Sequence, residues 1–94
     1  MIEELRAEID EIDERIVELV SRRARTAIEI GRHKKSEGMG VRDKDREEIV
    51  LSRVKELNSG PFSNEQIDRI YRKVISETRS IQMEDDQDDS RNET

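Results

Sequence analysis

Cysteine and tryptophan are absent from this sequence, and phenylalanine, tyrosine and proline occur once each, as Phe62, Tyr71 and Pro61. Without cysteine there is no disulfide framework, no thiolate nucleophile and no sulfur ligand for a metal. One histidine, His33, excludes the paired imidazoles of an HExxH site. No glycine-rich stretch has the spacing of a phosphate cradle. No apolar run approaches the roughly 20 residues needed to cross a bilayer. The first residues carry neither the basic lead nor the apolar core of a signal peptide. No cofactor, no metal, no membrane contact and a cytoplasmic location are the expectations.

What is present is charge, at 45% of 94 residues, against 31% hydrophobic residues. The net charge of -6 is unevenly spread. Beyond Met83 stand Glu84, Asp85, Asp86, Asp88, Asp89 and Glu93 with Arg91 alone to oppose them. The body before them is close to neutral, which argues against a nucleic-acid partner. Residues 1–83 read as one helical domain, and residues 84–94, which lack any apolar side chain, as a disordered acidic tail.

Apolar residues recur at Ile2, Leu5, Ile9, Ile12, Ile16 and Leu19, in alternating steps of three and four. That spacing predicts one long helix over residues 2–35 with a single buried seam. A lone helix cannot bury its own stripe, and a chain this short buries a modest share of its surface when it folds alone. The seam therefore predicts packing against a second copy, as a two-fold dimer. Gly38 and Gly40 mark a break. A second helix is expected over residues 43–58, with Asp43 as cap and Asn58-Ser59-Gly60-Pro61 as its end. Ser63 and Gln66 form a capping box that opens a third helix, with Ile67, Ile70, Tyr71, Val74, Ile75, Thr78, Ile81 and Gln82 on its inner face. The fold class is all-α, with three helices per chain in an intertwined homodimer.

Continued past Leu19, the seam meets Arg23, Ala27, Ile30 and Lys34. Two cations thus stand where a plain bundle needs Leu or Val, and buried charge is costly unless paired. Either their stems cover the seam while the charges reach water, or an anion fills the space between helices. The other helices pose the same question. Asp43, Arg46 and Glu47 precede the apolar stripe of the second, and Thr78 and Gln82 close that of the third. Each also has a plain reading, as cap, cross-helix pair or fraying end. Arg6 lies beside the seam at the far end of the first helix, where an antiparallel partner could bring it to Arg23 and Lys34. Together these groups would enclose a small dicarboxylate bearing hydroxyl or ether oxygens, since arginine binds carboxylates bidentately. Cations with one amide and one carboxylate favour catalysis by positioning and electrostatics. Arg22, Arg42 and His33 read as structural or solvated.

Over residues 5–82 the chain resembles the small all-helical chorismate mutases of bacteria and archaea. The resemblance is carried by Leu5-Arg6, Ile12-Asp13, Arg22-Arg23, Ile30-Gly31 with Lys34, Val41-Arg42-Asp43 followed by Arg46-Glu47, and the spaced Thr78 and Gln82. It implies a homodimer with two identical sites, each borrowing Arg6 from the partner subunit. It implies that Arg6 and Arg23 bind the two carboxylates of chorismate, and that Lys34 and Gln82 contact the ether oxygen of the breaking bond. Arg46 would add cationic field near the ring carboxylate. Glu47, with the backbone at Asp43, would hold the ring hydroxyl. Thr78 stands where the family often has Ser, and either hydroxyl can assist carboxylate binding. The implied reaction is the pericyclic conversion of chorismate to prephenate in aromatic amino acid biosynthesis, a step of the shikimate pathway. An isochorismate pyruvate-lyase on the same scaffold and a non-catalytic helical dimerisation module are the alternatives.

Overall fold

The structure, a computed structural model, describes the backbone of residues 1–92 and the side chains of residues 1–85. It holds three helices, α1 (Ile2–Ser36), α2 (Lys44–Leu57) and α3 (Asn64–Asn92). The all-α class and the order of elements agree with the periodicity. Helix α1 begins with Glu3 and Glu4 in its first turn and ends with His33, Lys34 and Lys35 in its last. That polarity suits the helix dipole at both ends. Its last carbonyls are taken up by the turn that follows. Lys34 O accepts from the N–H groups of Glu37 and Met39, at 3.1 and 2.8 Å, and Lys35 O accepts from Gly38 at 3.0 Å. Gly38 adopts φ 75°, the left-handed conformation that ends many helices and suits a residue without Cβ.

Asp43 opens α2 as expected, its carboxylate accepting from the Arg46 N–H at 3.0 Å. Asn58 then knits the turn into α3. Its amide donates to Phe62 O and to Asn64 Oδ1 and accepts from the Gly60 N–H. The capping box at the start of α3 is formed in both directions. Ser63 N–H donates to Gln66 Oε1 at 2.9 Å, and Ser63 Oγ accepts from Gln66 N–H at 3.1 Å.

Helix α3 packs on both other helices, while α1 and α2 make no close backbone approach to each other. A trough therefore runs between α1 and α2, floored by α3. Leu51 of α2, 3% exposed, is the one buried apolar residue among those described. The other apolar side chains between the helices, among them Val50, Val54, Val74 and Ile75, are only partly buried. The apolar faces of α2 and α3 are narrower than their periodicity suggests: Leu57, Ile70 and Ile81 are exposed.

The seam splits into two halves. Ile2, Leu5, Ile9, Ile12, Ile16 and Leu19 are each 48–65% exposed in the single chain. The α1 rod spans about 52 Å at 1.5 Å per residue, and α2 and α3 cover its C-terminal portion only, within a molecule 58 Å long.

The boundary expected at residue 84 falls within the span of α3. Helix α3 continues through Asn92, and residues 93 and 94 lie outside the described residues. No glycine or proline interrupts the chain after Met83. Asp85 also gives the extension an anchor: Arg32 of α1 donates from Nε and Nη2 to its two carboxylate oxygens, at 2.9 and 2.7 Å. Two parallel bonds between planar groups fix geometry as well as charge.

Three aspartates titrate below the ordinary carboxylate range of about 3.8. Asp43 does so through the Arg46 N–H and then Lys34, Asp68 through Arg72 and then Lys55, and Asp85 through Arg32. A carboxylate whose folded pKa is depressed contributes stability above its unfolded pKa and loses it as pH falls through the folded value. Stability is therefore expected to be flat at neutral pH and to decline below about pH 4. Urea titrations followed by helical circular dichroism at pH 7 and pH 3 would show this, and Asp68→Asn should make the decline shallower.

Candidate active site

The C-terminal half of the α1 seam, the start of α2 and the end of α3 enclose a cleft of about 470 Å³. Seven of the eight candidate residues line it: Arg23, Lys34, Asp43, Arg46, Glu47, Thr78 and Gln82. The eighth, Arg6, does not. It sits seventeen residues before Arg23 on the same helix, about 25 Å away along the axis, and a single chain does not bring the two together. The seam positions Leu19, Arg23, Ala27, Ile30 and Lys34 all face the cleft, so the helical period that placed cations among apolar residues has delivered them to one wall.

Arg23 and Thr78 are coupled. The Thr78 hydroxyl donates its proton to Val74 O at 2.6 Å and accepts from Arg23 Nη1 at 3.5 Å. A hydroxyl has one proton, so here Thr78 acts by holding the guanidinium. Lys34 Nζ lies 3.6 Å from Asp43 Oδ2, leaving other ammonium protons free to turn into the cleft. Gln82 donates from Nε2 to the main-chain carbonyl of Ala27 at 2.6 Å. This bond fixes the amide plane and leaves the second N–H of the same nitrogen available. Gly31 is buried beneath it, and a Cβ built there would lie 3.6 Å from Gln82 Nε2, in ordinary contact, so the approach leaves room for a methyl group. Gly31 thus lies where α3 crosses α1.

Glu47 accepts from Arg79 Nη1 at 2.9 Å, with Arg42 Nε 3.7 Å from the same oxygen. Arg79 is absent from the candidates drawn from sequence. Its signal was its place between Thr78 and Gln82, masked because that face was traced through its apolar members. Arg22 and Arg42, read as structural or solvated, also line the cleft, whereas His33 is exposed and pairs with Glu37. Six cations thus face two carboxylates, and both carboxylates are already engaged. Such a lining accepts a small molecule with more than one negative charge.

The comparisons with known proteins agree with this geometry. Residues 5–83 match the model of the family described as chorismate mutase type II. A bifunctional chorismate mutase/prephenate dehydratase of Stutzerimonas stutzeri is 40% identical over 83% of this chain, which spans 23% of that relative's length. A chorismate mutase of Methanocaldococcus jannaschii is 29% identical over 84% of this chain and 81% of its own. Among solved structures, chorismate mutase (form II) from Thermus thermophilus superposes with a TM-score of 0.85 at 32% identity, covering 87% of this chain and 93% of that one. With the family pattern, the helical order and the cleft in agreement, this chain belongs to the chorismate mutase type II family.

Proposed function

We propose that the chain is a chorismate mutase that works as an intertwined homodimer, rearranging chorismate to prephenate in each of two equivalent sites. The observation that carries this reading is the convergence of Arg23, Lys34, Arg46, Glu47, Thr78 and Gln82 from three helices on one cationic cleft. Its size lies in the range of small-molecule sites. Arg23, oriented by Thr78, receives one substrate carboxylate, and Arg6 of the partner subunit receives the other. Arg46 supports the ring carboxylate. Glu47 accepts from the ring hydroxyl, and the backbone at Asp43 helps to hold it.

The rearrangement is unimolecular, with no proton to move and no covalent intermediate. The protein's contribution is to hold the enolpyruvyl arm over the ring in the reactive shape and so remove the entropy of finding it. As the ether bond breaks, negative charge grows on its oxygen. Lys34 and the free N–H of Gln82 are donors to that atom, and their interaction strengthens towards the transition state. The open half of the α1 seam supports the dimer. Six apolar side chains in register on one helix face need a partner of the same pattern, and an antiparallel copy supplies one while carrying Arg6 across.

Loss of chorismate absorbance on adding the purified chain is the direct test, run beside isochorismate with detection of released pyruvate. Prephenate from the first and no pyruvate from the second is the expected result. Pyruvate release alone, or no turnover of either compound, would end this reading.

A further inference from the structure

Arg79 carries the inference. It stands on α3 between Thr78 and Gln82, its side chain is 25% exposed, and its Nη1 donates to Glu47 Oε2 at 2.9 Å. It lines the substrate cleft on one side and, on the other, an outer groove shared with Leu51, Arg69 and Arg72. Arg79 and Glu47 thus form part of the wall between two cavities. Glu47 is itself 21% exposed and lies on a face with five other cations, Arg22, Arg23, Lys34, Arg42 and Arg46. A carboxylate left unanchored there would be drawn to whichever cation it could reach. Each such pairing would occupy a group that a substrate carboxylate needs. Arg42 lies nearest among these alternatives, but it sits in the loop between α1 and α2 and its side chain is 48% exposed.

We propose that Arg79 is a positioning residue: it holds one oxygen of Glu47 at the cleft wall, directs the other to the substrate's ring hydroxyl, and keeps Glu47 off the substrate-binding arginines. The inference rests on the function proposed above and adds a residue to it. Arg79 acts through Glu47 and touches no reacting atom. The consequence is for binding more than for the chemical step, because the ring hydroxyl takes no part in bond making or breaking. A charge-assisted hydrogen bond in a partly screened setting is worth about a tenfold change.

The test is a double-mutant cycle read in kcat and KM. Arg79→Ala is expected to raise KM about tenfold with a smaller change in kcat, and Arg79→Lys to recover part of the loss. Arg79→Ala placed on Glu47→Ala should add nothing further, since the group through which Arg79 acts is gone. Helical circular dichroism of each variant separates this from general unfolding, which lowers apparent kcat at unchanged KM and is not rescued by lysine. Independent, multiplying losses in the double variant would overturn the inference, as would wild-type KM in Arg79→Ala or a loss that follows helicity alone. A wild-type chain that leaves chorismate unchanged would overturn the proposed function and this inference with it. An active wild type beside any of the preceding results overturns this inference alone.

Discussion

Lys34→Ala is expected to lower kcat by about a thousandfold, the loss typical of removing one preorganised donor from a developing oxyanion. Helical content should be retained. Lys34 occupies the last turn of α1, its side chain is 20% exposed, and its partner is Asp43 at 3.6 Å. Its removal therefore leaves no fully buried charge behind, and the aspartate keeps its bond from the Arg46 N–H. Ground-state binding should suffer less than turnover, because the other cations of the cleft still attract the substrate. Single-turnover rates beside circular dichroism would separate the two effects. A variant that turned over like the wild type would remove Lys34 from the mechanism.

A charge in the open seam should be equally damaging by a different route. Ile9→Glu or Ile16→Glu places a carboxylate where the proposed partner helix packs, and burying an unpaired charge is prohibitive. Both variants are expected to fall to monomer mass and to lose nearly all activity, since Arg6 stays about 25 Å from Arg23 within one chain. Subunit mixing gives the sharper form of the test. Arg6→Ala and Lys34→Ala are each expected to be nearly inactive. Refolded together, random pairing puts one intact site in half of the dimers and restores about a quarter of wild-type activity. No recovery on mixing would mean that Arg6 serves its own subunit or none. Full activity of a monomeric seam variant would remove the dimer from the function.

The helices were legible because their signals are local. Period, caps and breaks lie within a few residues of each other, and Ser63 with Gln66 or Asp43 with the Arg46 N–H needs no knowledge of the rest of the chain. Arg23 and Lys34 were legible for a related reason, since a cation in an apolar register is anomalous in one dimension as well as in three. Arg79 was not. On α3 it is one more charged side chain in a sequence 45% charged, and only the tertiary approach of Glu47, 32 residues earlier, gives it a role. The pairing of Asp85 with Arg32 was not legible for the same reason. Composition sees a run of acids there, whereas Asp85 meets Arg32 from 53 residues away.

Gly31 illustrates how a local flaw can serve a distant group. A side chain tilts back over the turn before it, so residue 31 would ordinarily screen the carbonyl of Ala27, four positions earlier. Here the Gln82 amide docks on that oxygen, with space left for a methyl group at position 31. Helix α1 gives up about 1 kcal/mol of propensity there relative to alanine, and the mooring point beside it uses only part of the space. Position 31 consequently has a size limit: one methyl group fits beneath Gln82, and a longer side chain must turn away from the amide to leave its berth intact.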